Sequence, residues 1–168
     1  MHAQERDSRT QQVERPTETG FRALIRVNGL LDRIMQPYFG RFGLSRSQWG
    51  VLRTLHRAEL EGFPGLRLMD LGGRLLVRPA SVTGLIDRLQ RLRYVVRFSS
   101  TSDHRSKEVR LTQSGRSLVE RILQGHGAQI AAVMAGLNTT EQSQFRHLLE
   151  MLATHLESML EEEGHAEI

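Results

Sequence analysis

Between residues 79 and 111 the chain changes its apolar period within a single short span, and that change constrains the fold more than any other feature. Pro79 suits the first position of a helix, where a missing N–H costs nothing. Val82, Leu85, Ile86 and Leu89 then fall at i, i+3, i+4 and i+7, an apolar stripe that runs to about Leu92. At Tyr94 the period becomes two. Tyr94 to Phe98 is apolar and β-prone, and Lys107 to Leu111 alternates polar with apolar. The polar stretch Ser99 to Arg105 between them reads as the mobile tip of an antiparallel hairpin. Upstream, a short helix from about Arg67 to Leu76, weakened by Gly72 and Gly73, is expected to turn Leu68, Leu71 and Leu75 inward. Helix, turn, helix and basic hairpin make a winged helix–turn–helix.

The remainder is helical in pattern. From about Glu18 to Tyr38, Phe21, Leu24, Ile25, Leu31, Ile34, Met35 and Tyr38 recur at helical spacing, and Pro37 is expected to end or bend that helix. Gly40 and Gly43 mark a loop. Ser45 with Gln48 has the form of a capping box, opening a helix with Trp49, Leu52 and Leu55 on one face. Thr112 is the expected N-cap of a long helix, in which Gly125 and Gly127 are expected to mark a bend. Asn138 to Gln142 holds both N-x-x-E and T-x-x-Q starts for a last helix carrying Phe145, Leu148, Leu149, Leu152, Leu156, Met159 and Leu160. Residues 1–17 lack periodicity and read as disordered or loosely attached. The resulting division is a mainly α chain with minor β: an N-terminal helix and loop over 18–44, the winged domain over 45–112, C-terminal helices over 113–160 and an acidic tail over 161–168.

Apolar residues make up 39% of the 168, enough for a core but lean for a compact monomer, so some apolar surface is expected between chains. Charge is uneven. Residues 67–121 hold eleven arginines and Lys107 against five acids, whereas residues 122–168 hold one arginine against seven acids. A basic middle followed by an acidic end suits a polyanion-binding module joined to a part with another task; an unevenly charged solvated surface is the bland alternative. Cysteine is absent, which excludes disulfides, thiolate metal sites and Cys nucleophiles. The polar start and the lack of a long apolar run favour a soluble cytoplasmic chain without a membrane anchor.

Residues 77–115, VRPASVTGLIDRLQRLRYVVRFSSTSDHRSKEVRLTQSG, resemble the MarR family of bacterial transcription regulators. The features that carry the likeness are VTGLIDRL at 82–89, VVR at 95–97, DHRSK at 103–107 and VRLTQSG at 109–115, and it extends over about residues 20–160. The resemblance implies a homodimeric repressor on double-stranded DNA. Ala80, Ser81, Thr83, Gly84 and Arg88, left outward by the core stripe, would enter the major groove, with Arg78 just before them. Arg105 would sit at the wing tip in the minor groove, where negative potential attracts a guanidinium. Asp103 would hold the wing in shape, with Arg88 a candidate partner, and His104, Ser106, Lys107 and Arg110 would reach phosphates.

Phe21, Leu24 and Leu31 with Ile130, Val133, Phe145, Leu149, Leu152 and Leu156 would form the dimer interface. Two recognition helices would then lie about 34 Å apart on a pseudo-palindromic operator. Family members take small aromatic acids and phenols that lower DNA affinity, and Arg22, Arg26, Trp49, Arg53 and His56 are candidate lining residues, although Trp49 also reads as a core anchor. The sequence departs from the family twice. Arg93 stands where relatives place a glycine before the wing, so that corner is expected to close differently. Gly84 stands where many carry a larger polar side chain.

Other classes fare worse. No Gly-rich phosphate loop, HExxH, GxSxG or nucleophile with a base is present, so no enzyme is expected. His126, His147 and His155 near Glu150 raise a metal sensor, but His147 and His155 lie two turns apart, and no metal or cofactor is expected. A non-specific architectural DNA binder, or an adaptor, remains the alternative to a ligand-responsive regulator.

Overall fold

The computed structural model describes residues 16–76, 79–99 and 107–166, apart from the side chains of residues 79, 80, 99 and 163–166. The order is α1 (Pro16–Gly40), α2 (Arg46–Leu60), β1 (Leu66–Arg67), α3 (Leu68–Leu75), α4 (Pro79–Arg91), β2 (Val95–Ser99), β3 (Lys107–Leu111), α5 (Gln113–Met134) and α6 (Thr139–Ala166). Two compact units result, Met1–Glu120 and Arg121–Ile168. Among the described residues no helix is long and apolar enough to cross a membrane.

In the first unit the expected stripes become one core. Val51, Leu52, Leu55, Leu71, Val82, Ile86, Leu89 and Val109 are fully or almost fully buried, so α2, α3, α4 and the sheet close around one another. Trp49 is 5% exposed and stacks on Phe39 with ring centroids 5.6 Å apart. Leu85 is only half-buried, at the edge of the stripe that the sequence turned inward. The sheet is antiparallel in the order β1–β3–β2, with Val95 opposite Leu111 and Leu66 opposite Val109. The two-residue β1 is too short to show a period, which is why the sequence reads Arg67 as helical.

Local chemistry fixes the ends. Ser45 and Gln48 form the expected capping box, and Asn138 and Glu141 form another at α6, with Asn138 Oδ1 accepting from Glu141 N at 3.0 Å. Thr112 Oγ1 accepts from Gly115 N at 3.0 Å and donates to Arg93 O at 2.7 Å, so one hydroxyl both caps α5 and ties it to the corner before β2. Gly115 is required there: a Cβ would sit 2.1 Å from Tyr94 O.

Three expectations concern how helices continue and end. α1 starts at Pro16 and runs through Pro37 to Gly40. Proline removes one backbone donor but its φ fits a helix, and burial of Tyr38 and Phe39 fixes the following turn. α5 runs through Gly125 and Gly127 without interruption, since glycine raises the cost of a helix yet keeps its hydrogen bond. Arg93 does not change its corner. It takes the left-handed conformation at φ 61°, with Arg93 N on Gln90 O at 2.9 Å and Tyr94 N on Leu89 O at 3.0 Å. That is the Schellman pattern that Gly43 and Gly62 make at the ends of α1 and α2.

The second unit has a different character. Gln142 Nε2 donates to Met134 O and Leu137 O, at 3.2 and 2.8 Å, and so braces the turn into α6. From Thr139 to Glu162 every side chain except that of Gln142 is exposed.

Candidate nucleic-acid interface

The helix α4 has two faces of opposite kind. Val82, Ile86 and Leu89 are wholly buried, which leaves Ser81, Thr83, Gly84, Asp87 and Arg88 exposed along the other side. No heavy atom lies within 4 Å of where a Cβ on Gly84 would stand, so that face is open at its middle. Ala80 falls in the first turn of α4. Arg78, Asp103, His104, Arg105 and Ser106 lie outside the described residues, and with Asp103 the expected pairing to Arg88.

The first wing strand is fastened to this helix by a pair the sequence did not suggest. Arg97 Nη1 lies 2.6 Å from Asp87 Oδ1 and donates to Gln90 Oε1 at 3.0 Å. Asp87 and Gln90 are one turn apart on α4, so the guanidinium of β2 bridges both and sets the hairpin against the helix. On β3, Lys107 and Arg110 are exposed, and the Arg110 guanidinium lies 4.6 Å from the centre of the Phe98 ring, an ordered cation on the outer face of the sheet.

Beside α4 runs an open groove of about 620 Å³ lined by Asp32, Arg46, Ser47, Gly50, Leu75, Ser81, Gly84, Leu85 and Arg88. Its floor is apolar, and its rim carries two guanidinium groups and two hydroxyls, donors that suit phosphate oxygens and base edges. Arg46 and Ser47 were not among the residues expected here. Both follow the Ser45 cap in the first turn of α2, and that position was the available signal. Arg46 is ion-paired to Asp32 of α1.

The residues expected to line a small-ligand site fall elsewhere. Trp49 is in the core, Arg22 and Arg26 are exposed on α1, and Arg53 and His56 are half-buried neighbours on α2, with Arg53 Nη1 3.4 Å from His56 Nδ1. None of the five lines the groove. Among the described residues no group of three His, Asp or Glu could hold a metal ion.

The bonds that set α5 also bear on the interface. Glu59 of α2 takes the Arg116 guanidinium through two hydrogen bonds, of 2.9 and 2.8 Å. They hold the Arg116 pKa above its ordinary, already high value, against the opposing effect of desolvation. The guanidinium is therefore charged at any ordinary pH, and its two bonds to Glu59 fix the start of α5 against α2.

The model of the MarR family matches residues 42–106. The HTH-type transcriptional repressor YetL of Bacillus subtilis is 32% identical over 129 residues, covering 77% of this chain and 75% of the relative. The structure of mutant MarR of E. coli with operator DNA shares the fold at a TM-score of 0.73 and 23% identity, over 79% of this chain and 91% of that one. Bordetella bronchiseptica BpsR, whose structure concerns regulation of DNA binding by 6-hydroxynicotinic acid, gives a TM-score of 0.72 at 25% identity, over 81% and 99% of the two chains. With a repressor this similar across three quarters of both chains, and an open polar helix face fastened to a basic hairpin, the chain belongs to the MarR family of DNA-binding transcription regulators, not to the enzymes.

Proposed function

We propose that the chain acts as a homodimeric repressor that binds a pseudo-palindromic duplex operator and leaves it when a small ligand binds. The observation that carries this reading is the two-faced α4, with Ser81, Thr83, Gly84 and Arg88 exposed beside Arg46 and Ser47 while its other face is buried in the chain's own core. In this reading Arg78, Ala80, Ser81, Thr83 and Arg88 meet the major groove, Arg105 the minor groove, and His104, Ser106, Lys107 and Arg110 the phosphates.

The dimer is supported by apolar faces that the chain alone leaves wet. Phe21 is 64% exposed on α1, and Phe145, Leu149, Leu152 and Leu156 are exposed on α6. A two-fold axis would use each such face twice and set the two α4 helices about 34 Å apart. Small-ligand control is supported by BpsR, whose DNA binding is regulated by 6-hydroxynicotinic acid. Its mechanism would be preference of the ligand for a dimer whose helices miss the groove spacing.

The test begins with selection of a duplex from a random pool, followed by titration of selected and random duplexes across salt. A specific regulator retains a ratio of about a thousandfold or more at physiological salt. A ratio near one would make the chain an architectural binder, and no binding would exclude both. Arg105→Ala is expected to weaken the selected duplex by about 1–3 kcal/mol while self-association is unchanged. Aromatic acids should raise the melting temperature of the free chain and lower its DNA affinity.

A further inference from the structure

We propose that Asp32 of α1 stands in for a DNA phosphate at Arg46, so that Arg46 is a backbone contact held in reserve until DNA displaces the acid. The inference rests on the DNA-binding reading above and assigns to it a residue pair that neither the family motifs nor the charge pattern singled out.

Asp32 and Gln36 are four apart on one face of α1, and both reach the start of α2. Asp32 pairs with the Arg46 guanidinium. Gln36 Oε1 accepts from Arg46 N at 3.3 Å, and Gln36 Nε2 donates to Leu44 O at 3.4 Å. One helix thus grips both the backbone and the side chain of the residue that opens the next. The side chains of the ion pair remain 42% and 55% exposed, so the bond is solvated and readily exchanged.

What surrounds it points to the competitor. Among the described residues Asp32 is the one acid lining the groove, and Arg46, Ser47, Ser81 and Arg88 face the same space, with Gly84 leaving its middle open. A phosphodiester entering there finds two guanidinium groups and two hydroxyls, and offers Arg46 the same forked acceptor that the carboxylate offers. Exchange of one anion for the other leaves Arg46 satisfied in both states. The exchange breaks the pair of Arg46 with Asp32, and the loss of that pair lowers affinity. Because the acid is on α1 and the cation on α2, any shift between these helices changes how freely Arg46 meets DNA.

The test uses the full chain and its selected duplex, with affinity read by fluorescence anisotropy between 50 and 200 mM salt, on the order of the range where phosphate contacts dominate. Asp32→Asn keeps the shape and removes the charge; it should tighten binding by about three- to tenfold. Arg46→Ala should weaken binding and lower the slope of log K against log salt by about one. In the Arg46→Ala background, Asp32→Asn should change affinity less than about twofold, because the acid acts through that one cation. Unchanged or weaker binding by Asp32→Asn would overturn the proposal, as would a gain that persists without Arg46, which would mark general charge repulsion. A chain that binds no duplex at all would instead remove the functional reading on which the proposal stands.

Discussion

The helices α4 and α6 carry the same apolar period and meet opposite fates. The stripe of α4 is buried by α2, α3 and the sheet of its own chain, whereas α6 leaves Phe145, Leu148, Leu149, Leu152, Leu156, Met159 and Leu160 exposed. Period 3.6 announces that a face must be covered, not by which chain. The winged region is covered by itself, and in the proposed dimer α6 would be covered by a second copy. Concentration separates the two, since energy from association varies with it and energy from a closed core does not.

The largest effect is expected from Ile86→Ala. Its side chain is wholly buried, and truncation should cost about 3 kcal/mol through lost transfer energy and an unfilled cavity. Denaturant melts should show the same loss at every protein concentration. Leu152→Ala is the matched change on α6, where the side chain is 39% exposed in the chain alone. It should weaken self-association by about 2 kcal/mol, roughly thirtyfold in Kd, measured by sedimentation, with almost no effect at concentrations where the protein is monomeric. A concentration-independent loss would mean that α6 is covered within its own chain, and the contrast with α4 would fail.

A smaller effect tests how the winged region holds the start of α5. Glu59→Gln removes the charge from a paired acceptor whose side chain is 18% exposed, and should cost about 1 kcal/mol, again at every concentration. The sign of the pH dependence follows from Arg116. Its folded pKa is raised, so the stabilisation it reports is complete below the ordinary arginine pKa and is lost only above that, in strong alkali. Wild-type and variant should therefore stay equally spaced through neutral pH on the arginine side; a gap that closes near pH 7 would show that another group holds Arg116.

How much of this was legible in the sequence follows the range of each interaction. The Ser45 and Thr112 caps, the α4 stripe and the hairpin strands were readable, because their partners lie within a few residues or repeat at a fixed period. Arg97 on Asp87 and Gln90, and Arg46 on Asp32, were not, since nothing in spacing pairs a strand residue with a helix residue ten positions back, or α1 with α2 across a loop. Pro37 does not end α1, because local propensity weighs less there than the burial of Tyr38 and Phe39. The outward residues of α4 were legible as exposed, while their role came from the resemblance and not from the pattern.

The smallest effect is expected at Arg93, and it asks whether a closed region can store strain. Among the described residues four corners of this region turn through the left-handed conformation, at Gly43, Gly62, Leu76 and Arg93, and Arg93 is one of two that place a Cβ there. The corner forms because Thr112 Oγ1 binds Arg93 O and because Leu89 and Val95, on either side, are buried. Those contacts outweigh a conformational cost of about 1 kcal/mol. Arg93→Gly should recover part of that cost, less the extra freedom glycine brings to the unfolded chain, for a net gain of about 0.5 kcal/mol and a Tm higher by about 1–2 °C. Arg93→Ala keeps the Cβ and should recover nothing, so the two variants separate strain from charge. Because the corner belongs to the self-covered region, the gain should be the same at low and high protein concentration; a gain seen only at high concentration would mean that this corner is settled by a partner chain.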